Sequence, residues 1–124
     1  MEQRFFICET CGNIIAMVKP SGVPVMCCGK KMKEIVPNTT DAAQEKHVPV
    51  WTKEGNLVKV RVGSVAHPMI PAHYIEWVAV ETKQGVQRKH LNPGSAPNVR
   101  FALAEGDEVV SVLAYCNLHG LWKA

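Results

Sequence analysis

The clearest pattern along the chain is a period of two. Val58, Val60 and Val62 alternate with Lys59, Arg61 and Gly63, as a strand with one buried face requires. The same period returns over residues 74–82, 86–91, 98–104 and 108–115. Short turn-forming segments at 54–56, 83–85 and 105–107 separate these runs. No amphipathic helix is expected anywhere. From His47 onward the pattern predicts an all-β unit. It reads as an antiparallel β-sandwich or barrel of about seven strands, counting a short last one near residues 121–123. Residues 4–36 differ: short strand-like runs at 4–7, 13–18, 23–26 and 32–36 are broken by Gly, Pro and Cys turns. About 30 residues bury too little apolar surface to fold unaided, so this unit needs a staple. Residues 37–46 are polar and aperiodic and read as a linker. The expected organisation is a stapled unit over 1–36, a linker over 37–46 and a β-sandwich over 47–124.

Composition narrows the class. Apolar residues make up 47% of the 124 positions and charged residues 20%, ordinary values for a globular chain. The net charge of +3 is mild and spread along the sequence, so no nucleic-acid partner is expected. No apolar run is long enough to span a bilayer, and residues 1–6 lack the segments of a signal peptide. The chain is expected to be cytoplasmic with no membrane association, which favours thiolates over disulfides for its five cysteines.

Cys8, Cys11, Cys27 and Cys28 then become the staple. A Cys-x2-Cys turn offers two thiolates to one metal, and a second pair completes a tetrahedral four-sulfur site for iron or zinc. Spacing does not choose between the two metals. Because Cys27 and Cys28 are neighbours, both reach one ion only if the backbone bends between them. A second constellation is predicted by counting strand directions from His47. Antiparallel neighbours bring His67, His73, Cys116 and His119 to the end of the sandwich where His47 lies. His90 ends a rising strand and passes the same test. Imidazole suits iron, copper, nickel and zinc, and thiolate adds affinity. Five ligands exceed the four of structural zinc and leave one position of a six-coordinate ion open, which favours iron with an exchangeable substrate. Glu45 and Lys46 taken alone are an ordinary charged linker end. If His47 is a ligand they hang over the open position, where Lys46 attracts a small anion and Glu45 can occupy the vacancy. Met17, Met26, Met32 and Met69 read as core filler or turn residues. Trp51, Trp77 and Trp122 read as core or as shielding around the loops.

The motifs resemble a known family. Cys8-x2-Cys11-x15-Cys27-Cys28-Gly29 is similar to the desulforedoxin-type iron domain. Residues 45–50 (Glu-Lys-His-Val-Pro-Val), 63–69, 73–77 and 115–120 (Tyr-Cys-Asn-Leu-His-Gly) resemble superoxide reductase, and together they match the two-iron desulfoferrodoxin arrangement over nearly the whole chain. The resemblance implies two non-haem iron ions. One is bound by Cys8, Cys11, Cys27 and Cys28. The other, in an immunoglobulin-like sandwich, has His47, His67, His73 and His119 as equatorial ligands and Cys116 as the axial one. His90 lies outside the family's ligand set. The implied activity is one-electron reduction of superoxide to hydrogen peroxide, with Glu45 and Lys46 at the site. Electrons come from an external donor such as rubredoxin, and the family is commonly a homodimer. The competing readings are an iron electron-transfer protein without catalysis, a zinc-stapled binding module, and a superoxide dismutase.

Overall fold

The computed structural model describes residues 2–124 and divides into two compact units, Met1–Val36 and Pro37–Ala124. In the first unit, strands β1 (Arg4–Ile7), β2 (Ile14–Met17) and β5 (Lys33–Glu34) form an antiparallel sheet in the order β2-β1-β5. A separate two-stranded ladder joins β3 (Met26–Cys27) to β4 (Lys30–Lys31). The strand expected over 23–26 survives only at its end. Pro24 cannot donate to a ladder, and Val23 lies 73% exposed. Phe5, Cys8 and Met32 are the only buried apolar side chains among the described residues of this unit. The absence of a larger core is what makes a staple necessary.

The second unit opens with one helical turn, α1 (Gln44–His47), and continues in seven strands. They are β6 (Pro49–Glu54), β7 (Leu57–Val62), β8 (Ile75–Thr82), β9 (Gly85–His90), β10 (Asn98–Ala102), β11 (Val109–Cys116) and β12 (Gly120–Lys123). Two antiparallel sheets, ordered β10-β7-β6 and β12-β11-β8-β9, face each other as an immunoglobulin-like sandwich. The alternation read from the sequence explains the core. Val58, Val60 and Val62 of β7 meet Val78 and Val80 of β8 and Val112, Ala114 and Cys116 of β11 in one buried cluster. Each valine here contributes roughly 2 kcal/mol relative to an exposed one. The opposite face of β8 and β11 is covered by the Trp77–Tyr115 pair, whose rings stack at 5.4 Å. Trp51, by contrast, sits on edge strand β6 and stays 36% exposed, so it is not part of the core.

Residues 37–46 are held within the second unit. The Asn38 amide N–H donates to the Leu121 carbonyl at 3.0 Å, and its side chain bonds Lys123 on both its N–H and its C=O. No helix among the described residues is long and apolar enough to cross a membrane.

Three chain segments meet at one end of the sandwich. Strand β7 ends there at Val62, β8 starts at Ile75, and β11 ends at Cys116, all three fully buried. A register shift between Tyr115 and Cys116 sets Ile75, rather than Glu76, opposite Cys116. The shift lets the thiol and an isoleucine share the core and keeps a carboxylate out of it.

Candidate metal centres

In the first unit the turn after β1 is closed by the Gly12 N–H donating to the Cys8 carbonyl at 2.8 Å. This folds Cys11 back, so that its own N–H points at the Cys8 Sγ, 3.5 Å away. The second pair needs a bend, and the backbone supplies it: Cys28 adopts φ 52° and Gly29 φ 73°. With the chain turned left-handed there, adjacent cysteines converge, and all four sulfurs lie within 4.8 Å of one another. Cys11 Sγ and Cys27 Sγ are 3.6 Å apart. A tetrahedron of about 2.3 Å metal–sulfur bonds has edges of about 3.8 Å, so the spacing already suits an ion at the centre. The electrostatics agree. The Cys11 N–H, chiefly, brings the Cys8 thiol down to about 6, whereas the sulfurs of Cys11, Cys8 and Cys27 push Cys28 up to about 12. Four thiolates at this distance require a cation.

In the second unit four imidazoles form a ring. His47 ends α1, His67 and His73 lie in the 63–74 loop, and His119 stands in the turn between β11 and β12. Centroids of neighbouring rings are 4.7 Å (His47–His67), 4.6 Å (His67–His73), 5.0 Å (His73–His119) and 5.0 Å (His119–His47) apart, each pair close to perpendicular. Across the ring His47 and His73 are 6.3 Å apart and tilted by only 33°. The ligand atoms of His47, His67, His73 and Cys116 lie within 4.8 Å of one another. His119 closes the set through Nδ1, 3.1 Å from His47 Nε2 and 3.9 Å from Cys116 Sγ.

The donor chemistry shows what belongs in the middle. His47 Nδ1 donates to the Ala43 carbonyl at 2.6 Å, and His67 Nδ1 donates to the Pro68 carbonyl at 2.7 Å. Those carbonyls only accept, so both Nδ1 atoms carry protons and both Nε2 atoms of the neutral rings are bare. Yet the two Nε2 atoms stand 3.2 Å apart. Burial, first among the causes, lowers the pKa of His47 and takes His67 down to about 4, so a shared proton does not relieve the clash at neutral pH. His73 Nε2 is buried with no hydrogen-bond partner at all. Converging lone pairs and an orphaned nitrogen fit a metal ion, and the mix of imidazole with one thiolate fits iron. Cys116 is fully buried, which raises its thiol pKa, while the backbone amides of Leu118 and His119 lower it. These amides stabilise the thiolate once a cation is present.

Several supporting residues lay beyond sequence reasoning. Trp122 stacks on the His47 ring at 4.9 Å and donates its indole N–H to the His119 carbonyl at 3.1 Å, bracing two rings at once. Gly63 permits α1 to lie against the 63–65 loop: a Cβ there would stand 2.7 Å from the Glu45 carbonyl oxygen. That oxygen accepts the Val65 N–H at 2.9 Å and the Ser64 hydroxyl at 3.2 Å. Only the glycine itself hinted at the close approach. Glu45 and Lys46 are exposed on the same turn; the Lys46 charge reaches His73 and the Glu45 charge reaches His47. His90 is exposed on β9, paired with Trp77, and takes no part in the ring.

A family model described as desulfoferrodoxin matches residues 39–124. A desulfoferrodoxin homolog of Archaeoglobus fulgidus is 49% identical over 121 residues, spanning 98% of this chain and 95% of its own. Desulfoferrodoxin of Nitratidesulfovibrio vulgaris is 45% identical over 123 residues, 99% of this chain and 96% of its own. The crystal structure of the superoxide reductase from Treponema pallidum superposes with a TM-score of 0.84 at 44% identity, covering 100% of this chain and 99% of that one. This chain belongs to the desulfoferrodoxin family.

Proposed function

We propose that this protein is a superoxide reductase, converting superoxide to hydrogen peroxide with one electron and two protons. The observation that carries the reading is the ring of four imidazoles beside one buried cysteine sulfur, with its nitrogen lone pairs turned inward. The match to the Treponema pallidum superoxide reductase over the full chain supports it. His47, His67, His73, His119 and Cys116 would hold the catalytic iron, and Cys8, Cys11, Cys27 and Cys28 a second one. Iron held by these five donors would supply the electron for a small anion drawn to the site.

The remaining work falls to the chain's own groups. Lys46, exposed and charged within electrostatic range of His73, attracts superoxide to the site. Cys116, stripped of solvent and held by two amides, would donate electron density to that iron as a thiolate. Glu45, exposed on the same turn with its charge reaching His47, would place a carboxylate beside the centre. The two protons come from solvent. Since each turnover consumes one electron, a one-electron donor of the rubredoxin kind must restore the site. A cytoplasmic setting and a homodimeric assembly are part of the same proposal.

Pulse radiolysis of the reduced, iron-loaded protein tests the reading. Superoxide should change the spectrum of the His/Cys centre in a fast second-order reaction that yields peroxide and no dioxygen. Absence of that reaction refutes the assignment, and dioxygen release would indicate a dismutase.

A further inference from the structure

The metal-binding side chains of the second unit are not all held in the same way. His47 and His67 are each oriented by a carbonyl on Nδ1. Cys116 receives the amides of Leu118 and His119, and His119 shares its turn. His73 has neither support: its Nε2 is buried and unpartnered, and, unlike His119, whose ring also lacks a carbonyl partner, it does not sit on the Cys116 turn. Its position therefore depends on its backbone. The Ile70–His73 turn closes on itself through two mutual bonds of 3.1 and 3.0 Å, which fixes its shape but not its place.

Asn117 supplies the place. Its Oδ1 accepts the Tyr74 N–H at 3.0 Å, and its Nδ2 donates to the Ala72 carbonyl at 3.1 Å. A third bond runs from the Asn117 backbone N–H to the Tyr74 carbonyl at 3.2 Å. One side-chain amide thus grips the chain on both sides of His73, and it is borne by the residue next to Cys116. Only a group with an acceptor and a donor a carboxamide's width apart can make both bonds; neither Ala nor Leu makes either.

We infer that Asn117 is a positioning residue, clamping the His73 loop to the Cys116 turn and so fixing His73 in the iron-binding ring. This rests on the reading of that ring as an iron centre. Through this clamp, the approach of the imidazole to the thiolate is set by residues adjacent to each.

The test is Asn117→Ala in the full chain, loaded with ferrous iron. Iron at the His/Cys centre should be held about 10- to 100-fold more weakly in competition with a chelator, the usual effect of losing a group that orients a ligand. The thiolate-to-iron charge-transfer absorption of the oxidised centre should shift, while the four-sulfur centre in the same molecule keeps its spectrum. The rise in thermal midpoint on loading iron should shrink. Asn117→Asp, which keeps an acceptor for Tyr74 and loses the donor to Ala72, should fall between, and it serves the same comparisons if the alanine variant does not fold. Iron affinity within about twofold of the unaltered protein, with an unmoved absorption, overturns the proposal. So does a drop in midpoint equal with and without iron, which would leave Asn117 a structural role alone. None of these readings uses superoxide. A protein that binds iron through the clamp yet ignores superoxide overturns the functional reading and leaves the clamp standing.

Discussion

The Ala43 carbonyl takes the Nδ1 proton of His47, and the Pro68 carbonyl takes that of His67. Each bond commits a ring to one tautomer and leaves its other nitrogen free for a metal. Burial adds a pH dependence whose sign follows from linkage. In the metal-free fold His67 titrates near 4, depressed from 6.5, and His47 and His73 are lowered too, each mainly by burial. Between these values the unfolded chain binds more protons than the folded one, so stability rises with pH there. The thermal midpoint of the chelator-treated protein should be steady above about pH 6.5 and fall as pH drops from there toward 4. A flat profile across that window would show that the rings are not held neutral. Lys46 gives a second prediction. Lys46→Ala should slow superoxide capture by about tenfold at low ionic strength and flatten its salt dependence, because a solvent-exposed charge acts at a distance that salt screens. An unchanged second-order rate would remove the steering role.

Among the elements, α1, a single turn of four residues, is the most consequential. Four residues cannot hold a helix by propensity, so this turn exists because its Glu45 carbonyl is gripped by Ser64 and Val65. Gly63 makes room for the grip. In Gly63→Ala the new Cβ meets the Glu45 and Val48 carbonyl oxygens at 2.7 and 2.9 Å, and neither backbone group yields cheaply. We expect a loss of about 1–3 kcal/mol in urea titration, the usual range for overpacking, and earlier release of iron from the His/Cys centre than from the four-sulfur centre. Unchanged iron retention would mean that α1 tolerates the shift. The strands behave differently, because their alternation repeats the same choice at many positions. The far-end hairpins are fixed by the Asp107 carboxylate, which accepts the Thr82 hydroxyl at 2.7 Å and the Glu108 N–H at 2.9 Å.

The two units of the whole molecule differ in what holds them. The second has a valine-rich core between two sheets, and the first has only Phe5, Cys8 and Met32 buried among its described apolar residues, with a cluster of four cysteines. Removing metal should therefore unfold residues 2–36 while residues 37–124 keep their β structure. Hydrogen exchange after chelation checks this: amides of β1 and β2 should lose protection, and those of β8 and β11 should keep it. Retained protection in β1 would show that the small unit folds without its staple. The period of two made the sandwich legible, and the Cys-x2-Cys turn with its adjacent pair made the staple legible, because both are local patterns that need no partner to be read. Strand parity carried the five metal-binding candidates to one end but could not separate His90 from them. The geometry did, since His90 lies exposed on β9 while His47 and His119, 72 residues apart, meet at 3.1 Å. Residue types and their spacing, which the sequence alone contains, determined the sandwich, the staple and a list of candidate ligands that still included His90. Which nitrogens carry protons, what grips α1 and what clamps His73 were decided only by the tertiary structure. Each depends on a carbonyl or amide brought from a distant part of the chain to within 3 Å or so, and no local pattern records that approach.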